Sequence, residues 1–280
     1  MKWSIGFRLG FLLACFSVLA AMLVGYFTFV SGRDMLNDRA QRALLATTQI
    51  LTQHMQAGFA TVARDTTMLA ALAAETQAAQ TQATPAVHAH DREMLANVFK
   101  ATLSARPAYQ QIRLISAGDH GLELVRVERS GRGMVRVEGD ALQEKAHFPF
   151  VFETLKLGAG AVYVSEFGIN HEGIPDQGGE LPVFNMAASI VQGGQVVGVI
   201  VIRVTADAFF SNLSAGLPAP YGFYLLNRWG DFLVHSDRSQ TYGFDRGQRI
   251  LAQDSLPPVA QIIQGQSRQV VMAHQGSDGN

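Results

Sequence analysis

Two arginines stand inside strands that are otherwise apolar. Residues 110–116 and 122–128 alternate as half-buried strands do. In the first, Ile112 and Leu114 share one face, and Gln111, Arg113 and Ile115 the other. In the second, Val125 and Val127 share one face, and Leu122, Leu124 and Arg126 the other. A guanidinium in such a strand needs an anionic or carbonyl partner, because an unpaired buried charge is very costly. Two kinds of partner are open. One is a protein carboxylate, with Glu123, Glu128 and Glu153 available. The other is a ligand carboxylate or phosphate, gripped by two parallel hydrogen bonds. Further ligand-binding candidates follow downstream. Phe150 belongs to the aromatic run His147-Phe148-Pro149-Phe150-Val151-Phe152, which suits a core or the wall of a small pocket. Tyr163 and Ser165 have the same parity on the next strand. Asn185 interrupts the apolar Val183, Phe184 and Met186 and needs a hydrogen-bond partner if buried.

No catalytic set accompanies these residues. The chain has no Gly-x-Ser-x-Gly elbow, no His-Glu-x-x-His and no phosphate-binding Gly-Lys-Ser/Thr loop. His171-Glu172 is followed by Gly173, with no second histidine at helical spacing. His88-Ala89-His90-Asp91 contains metal-ligand types, but two histidines at i, i+2 in a loop are a weak signature, and no metal site is assigned. The sequence calls for no cofactor.

The elements that must position the candidates form an α+β sheet domain. Strands 110–116 and 122–128 meet at Ala117-Gly118-Asp119-His120-Gly121, and strands 182–191 and 195–204 meet at Gly193-Gly194. Both pairs are antiparallel hairpins by composition and turn chemistry. Between them the pattern predicts a short helical segment over 140–157 and a strand over 161–167.

Residues 9–30 carry no charge and are rich in leucine, alanine, valine and phenylalanine. As a helix they span roughly 33 Å, enough for a hydrocarbon core of about 30 Å. Trp3 and Tyr26 suit the interfaces. A cleaved signal peptide competes, with Val30-Ser31-Gly32 as a weak site, but its core is usually only about 7–15 residues. Lys2 and Arg8 precede the span and Arg33, Arg39 and Arg42 follow it, so charge alone leaves the orientation ambiguous. Past the span, a helical stalk is predicted to residue 84. Leu44, Leu51, Met55, Phe59, Val62, Leu69 and Leu72 line one face, either against the chain's own domain or as a dimer seam. Residues 78–90 read as a break, after which a short helix opens at Asp91 with Leu95, Val98, Phe99 and Leu103 on one face and ends at Pro107. Hydrophobic residues make up 48% and charged residues 16%, and the net charge of −1 gives no reason to expect nucleic acid as a partner. The one cysteine, Cys15, excludes an intrachain disulfide.

The order of these segments resembles the extracytoplasmic double Cache sensor region of bacterial transmembrane receptors. The resemblance is carried by the span and long helix, then Tyr109-Gln110-Gln111-Ile112-Arg113-Leu114-Ile115 and Glu123-Leu124-Val125-Arg126-Val127. It continues with Leu142-Gln143-Glu144-Lys145, Phe152-Glu153-Thr154-Leu155, Gly160-Ala161-Val162-Tyr163-Val164-Ser165 and Gly198-Val199-Ile200-Val201-Ile202. It implies two PAS-like modules hung on one N-terminal helix, with residues 222–235 opening the second. On that reading residues 1–8 are a cytoplasmic N-terminus, 9–30 the transmembrane helix and 31–84 the stalk. Residues 85–208 are the membrane-distal module and 209–280 an incomplete membrane-proximal one. In the second module the pattern predicts a hairpin over 221–235, a helix over 257–264 and a strand over 267–274. The polar 275–280 turn then suggests a fragment of a longer receptor. Asn185 stands where such receptors often carry a basic residue, and residues 147–152 where they carry a polar, tyrosine-bearing loop.

The expected function is therefore a periplasmic sensor region anchored in a bacterial inner membrane, not an enzyme in itself. Its expected partners are a small, anionic ligand, the membrane and a second copy of the chain. An anchored exported hydrolase and a pilin-like structural protein are the alternatives. Pilins usually place an acidic residue in the apolar helix, and residues 9–30 have none.

Overall fold

The computed structural model describes residues 5–80, 85–131, 133–169, 181–214 and 223–267. It divides into two compact units, Met1–Gln53 and His54–Asn280. Helix α1 (Ile5–Gln80) begins in the first and ends in the second. In the first unit its apolar side chains are exposed, including Leu12, Leu13, Phe16, Leu19, Leu23 and Phe27. Among the described residues it is the one helix long and apolar enough to cross a membrane. A helix whose described apolar side chains are exposed all round suits lipid.

The second unit contains a seven-stranded antiparallel sheet. Its strands are β1 (Tyr109–Ser116), β2 (Glu123–Ser130), β3 (Gly133–Val137), β4 (Val162–Val164), β5 (Gly168–Ile169), β6 (Pro182–Gln192) and β7 (Gln195–Thr205). The order is β3-β2-β1-β7-β6-β4, with β5 also on β6. Both predicted hairpins form, and Gly193 and Gly194 turn the second with φ of +57° and +82°, the signs a tight two-residue hairpin loop needs. β3 was not foreseen. The predicted strand 161–167 is shorter, as β4.

The two faces of the sheet are covered differently. Ile112, Val127, Met186 and Ile202 stand in one cross-strand row of one face. Helix α2 (Pro85–Ala105) packs over β1, β2 and β3 and buries Leu95, Phe99 and Leu103 completely. Burying each such side chain contributes roughly 1.5–3 kcal/mol. α2 starts at Pro85, so His90 lies in a helix and not in the predicted loop, and Asp91, the expected first residue of that helix, is already inside it. Phe59 of α1 reaches the same face, with its ring 5.5 Å from that of Phe184. Tyr109 Oη donates to Asp65 of α1 at 2.7 Å, and Arg106 Nε reaches the same carboxylate at 2.9 Å.

The opposite face carries Gln111, Arg113, Arg126, Asn185, Ala187, Val201 and Arg203. Its cover is not the single helix predicted over 140–157. The chain forms 3-10 turns at Gly139–Ala141 and Thr154–Lys156 around a four-residue helix, α3 (Pro149–Phe152). Pro149, with no N–H to donate, sits at the start of that helix and keeps it from extending back towards residue 140. Phe150 and Val151 pack against Ile115, Ala187, Val199 and Val201. Because both faces are covered, β6 is buried from Pro182 to Ile190 without the alternation of a half-exposed strand.

Helix α4 (Ala206–Ser214) follows β7. Beyond it a small hairpin pairs β8 (Leu225–Leu226) with β9 (Phe232–Val234), inside the predicted 221–235. The predicted helix over 257–264 forms as α6 (Val259–Ile263), and a further short helix, α5 (Ala252–Ser255), precedes it. The strand predicted over 267–274, apart from Ser267, the polar turn after it and His171-Glu172 lie outside the described residues.

Candidate functional site

A cavity of about 830 Å³ opens between the α3 cover and the β4–β6–β7 end of the sheet. Its volume falls within the range of small-molecule sites. Four of the six candidates line it: Phe150, Tyr163, Ser165 and Asn185. Phe150 comes from the cover and stacks on Phe148, with ring centroids 5.2 Å apart and planes 16° from parallel. Tyr163 stands half-buried on β4. Burial raises the pKa of its phenol, and the Glu153 and Glu166 carboxylates add to the rise. Ser165 and Asn185 lock together. Asn185 N–H donates to Ser165 Oγ at 2.8 Å, and Ser165 N–H donates to the Asn185 carbonyl at 2.9 Å.

Arg113 and Arg126 stand behind this wall, outside the cavity lining. Arg113 Nε pairs with Glu123 Oε1 at 3.2 Å, and Arg126 Nη2 pairs with Glu128 Oε2 at 2.7 Å. Glu123 Oε2 lies 3.5 Å from Arg126 as well, and Gln111 Nε2 donates to Glu128 at 2.7 Å. The carboxylates are two of the three protein partners foreseen for these arginines. Glu153 instead binds Lys156 at 3.0 Å. Arg113 meets the site at Phe150, whose ring centroid is 5.7 Å from its guanidinium carbon.

The cations that do line the cavity are Lys145 and Arg203, both only 4% exposed. Neither was singled out from the sequence. Lys145 Nζ donates to Gln143 Oε1 at 2.8 Å and lies 4.9 Å from the Phe148 ring centroid. Arg203 stands directly opposite Asn185 on the neighbouring strand and donates from Nε to Asn185 Oδ1 at 3.2 Å. Asn185 thus has the partner its burial requires, and the basic group missing at its own position arrives from across the ladder. Arg203 carried the same signal as Arg113, a charge near the end of an apolar strand. Lys145 carried none, since nothing marks that loop as returning to the sheet. The carboxylates in the lining, Glu144 and Glu166, are exposed, and Glu166 is held by Arg228 at 2.9 Å. The buried part of the wall therefore combines the two cations with Phe150, Ile169, Val183 and the Asn185 amide. Among the described residues no group of three or more metal-ligating side chains comes together.

The family profile described as bacterial histidine kinase, sensor domain, matches residues 51–274, which include the whole sheet and its cover. The chain belongs to this sensor-domain family. Solved structures share the fold. The extracellular domain assigned to a histidine kinase, vpHK1S-Z8, superposes with a TM-score of 0.67 at 15% identity, covering 86% of this chain and 87% of that one. A domain of a sensory box/GGDEF family protein from Vibrio parahaemolyticus gives 0.64 at 15% identity, with 85% and 86% covered. Methyl-accepting chemotaxis protein X gives 0.59 at 13% identity, with 84% and 86% covered. No curated protein matches the sequence. The sensor domain is thus an α+β, Cache-like module of the kind carried by signal-transducing receptors, preceded by a helix able to span a membrane.

Proposed function

We propose that the cavity under α3 binds a small anionic metabolite in the periplasm. The single observation that carries this reading is the pair of buried cations, Lys145 and Arg203, in a wall that also holds Phe148, Phe150 and Tyr163. A buried ammonium or guanidinium raises the local potential in a low-dielectric setting, and a carboxylate or phosphate entering the cavity is stabilised by it. Phe150, Tyr163, Ser165 and Asn185 supply the rest of the contact surface. Arg113 supports it from behind through Phe150, and Arg113 and Arg126 are balanced there by Glu123 and Glu128. No catalytic role is assigned to this region.

The signal follows from the two-faced sheet. Asn185 faces the ligand cavity, while Phe184 beside it faces Phe59 of α1. A ligand that repacks the cover tips the balance between two packed arrangements, and α1 passes the shift towards the membrane. On this reading residues 1–8 are cytoplasmic, 9–30 span the membrane, and both modules, 85–208 and 209–280, lie in the periplasm. The chain works as a homodimer through the part of the stalk before Phe59, where Leu44 is exposed, because Phe59, Val62 and Leu69 are taken up by the chain's own domain.

The test is a thermal-shift screen of small acids on the full chain in lipid nanodiscs. A ligand at about 100 times its Kd adds roughly 2.7 kcal/mol to stability. A panel of carboxylates and phosphates that leaves the wild type unshifted, while neutral or cationic compounds shift it, would overturn the anionic reading. Alkaline phosphatase fused after Gln266 should be active; an inactive fusion would reverse the orientation.

A further inference from the structure

Residues 165–169 connect the sheet domain to the small hairpin. Ser165, Glu166, Gly168 and Ile169 line the ligand cavity. Phe167, between them, turns to the aromatic cluster on the other side, with its ring 4.8 Å from Phe184 and 6.2 Å from Phe59. Two of the cavity residues are also held by the hairpin region. Ile169 N–H donates to Asp245 Oδ2 at 2.7 Å across 76 positions of sequence. Glu166 pairs with Arg228, but both side chains are about two-thirds exposed, and such pairs contribute little. The Asp245 bond is partly buried and charge-assisted, so it is the stronger restraint.

Asp245 is itself rigidly delivered. It closes a turn in which its N–H donates to the Tyr242 carbonyl at 3.1 Å. Tyr242 is buried, has φ of +55°, and donates its own N–H to Phe232 of β9 at 2.9 Å. A side chain on Gly243 would strike the Gln248 carbonyl, so the turn admits no larger residue there. Gly168 is close on the receiving side: an added Cβ would lie 2.9 Å from Asp245 Oδ2 and push that side chain away. A bulky turn residue, a strained backbone and a glycine contact thus converge on one carboxylate.

We infer that Asp245 is a positioning residue for the ligand cavity: the hairpin region sets the mouth strand of the sheet domain's site. The inference rests on the cavity being the ligand site. By linkage, whatever moves the turn at 242–245 changes ligand affinity, and ligand binding is felt at that turn.

Hydrogen exchange on the full chain in nanodiscs, without ligand, tests it. Asp245→Ala should speed amide exchange roughly ten-fold at Ile169 and also in the cover at 147–152, which Asp245 does not adjoin in sequence. Asp245→Asn keeps an acceptor oxygen and should return most of the protection. If Asp245→Ala fails to fold, Gly168→Ala displaces the carboxylate from the other side and should give the same pattern. Faster exchange confined to 168–169 and 242–248, with the cover unchanged, would overturn the inference while leaving anion binding intact. An acid screen with no shift on the wild type would instead remove the anionic ligand and leave the exchange coupling standing.

Discussion

Arg113 and Glu123 form a buried ion pair that simple strand alternation forbids. Glu123 shares its parity with Val125 and Val127, whose face is opposite to that of Arg113. The ladder pairs Leu114 with Val125 but Ile115 with Glu123, so Leu124 is skipped. This bulge turns Glu123 onto the arginine face, where the pair closes at 3.2 Å with side chains 2% and 0% exposed. One irregular residue thus decides whether Arg113 has a protein partner.

Removing Arg113 should therefore act on stability first. Breaking a buried ion pair typically costs about 3–5 kcal/mol, and Arg113→Met should fall near the lower value because Glu123 keeps Arg126 nearby. Arg113→Met with Glu123→Gln should recover a large part of the loss in chemical denaturation. A fully stable Arg113→Met would mean that the pair contributes nothing to folding.

Lys145→Met should separate binding from folding. The change keeps the apolar stem and removes the charge. Loss of the contact with Phe148 should cost about 1 kcal/mol or less. The stabilisation by acids seen in the wild type should disappear. Equal acid-induced shifts in both proteins would exclude Lys145 from the ligand site.

Tyr109→Phe tests the joint between α1 and the sheet. Its hydroxyl donates to a carboxylate, and losing such a bond costs roughly 1.5–3 kcal/mol. Burial, and then the bond to Asp65, raise the pKa of Tyr109. Its contribution is complete below the unfolded value of about 10 and is lost as pH rises beyond it. The wild type should lose stability in that alkaline range, and Tyr109→Phe should lose less of it, as read from denaturation midpoints against pH.

The hairpin region should respond at the other end of the pH scale. Burial raises the pKa of Asp231, but the bonds from Arg249 at 2.8 and 2.9 Å and from Asn227 at 2.9 Å outweigh it and hold the pKa below the usual range. Its contribution is present above the unfolded value of about 3.9 and fades as pH falls through the lowered one. Amide protection over 225–234 should drop on acidification in the wild type. Asp231→Asn should start lower, by about 1–2 kcal/mol because Arg249 is half exposed, and change less.

Local pattern determined much of this protein. A charge-free run marked the stretch of α1 able to span a membrane, alternation marked β1 and β2, apolar runs marked β6 and β7, and Gly193-Gly194 marked the turn between these last two. These features repeat within a few residues, so a short window contains them. The same window placed Phe150, Tyr163, Ser165 and Asn185 as candidates, and all four line one cavity. Register and closure lay beyond it. The bulge at Leu124 brought Glu123 to Arg113, and the ladder set Arg203 opposite Asn185. The broken cover carried Lys145 back to the sheet, and a turn 76 residues away put Asp245 on Ile169. Each of these depends on which strands pair and where one residue is skipped. A single skipped residue reverses the facing of every side chain beyond it, so the tertiary structure alone decided which charges meet one another and which line the cavity.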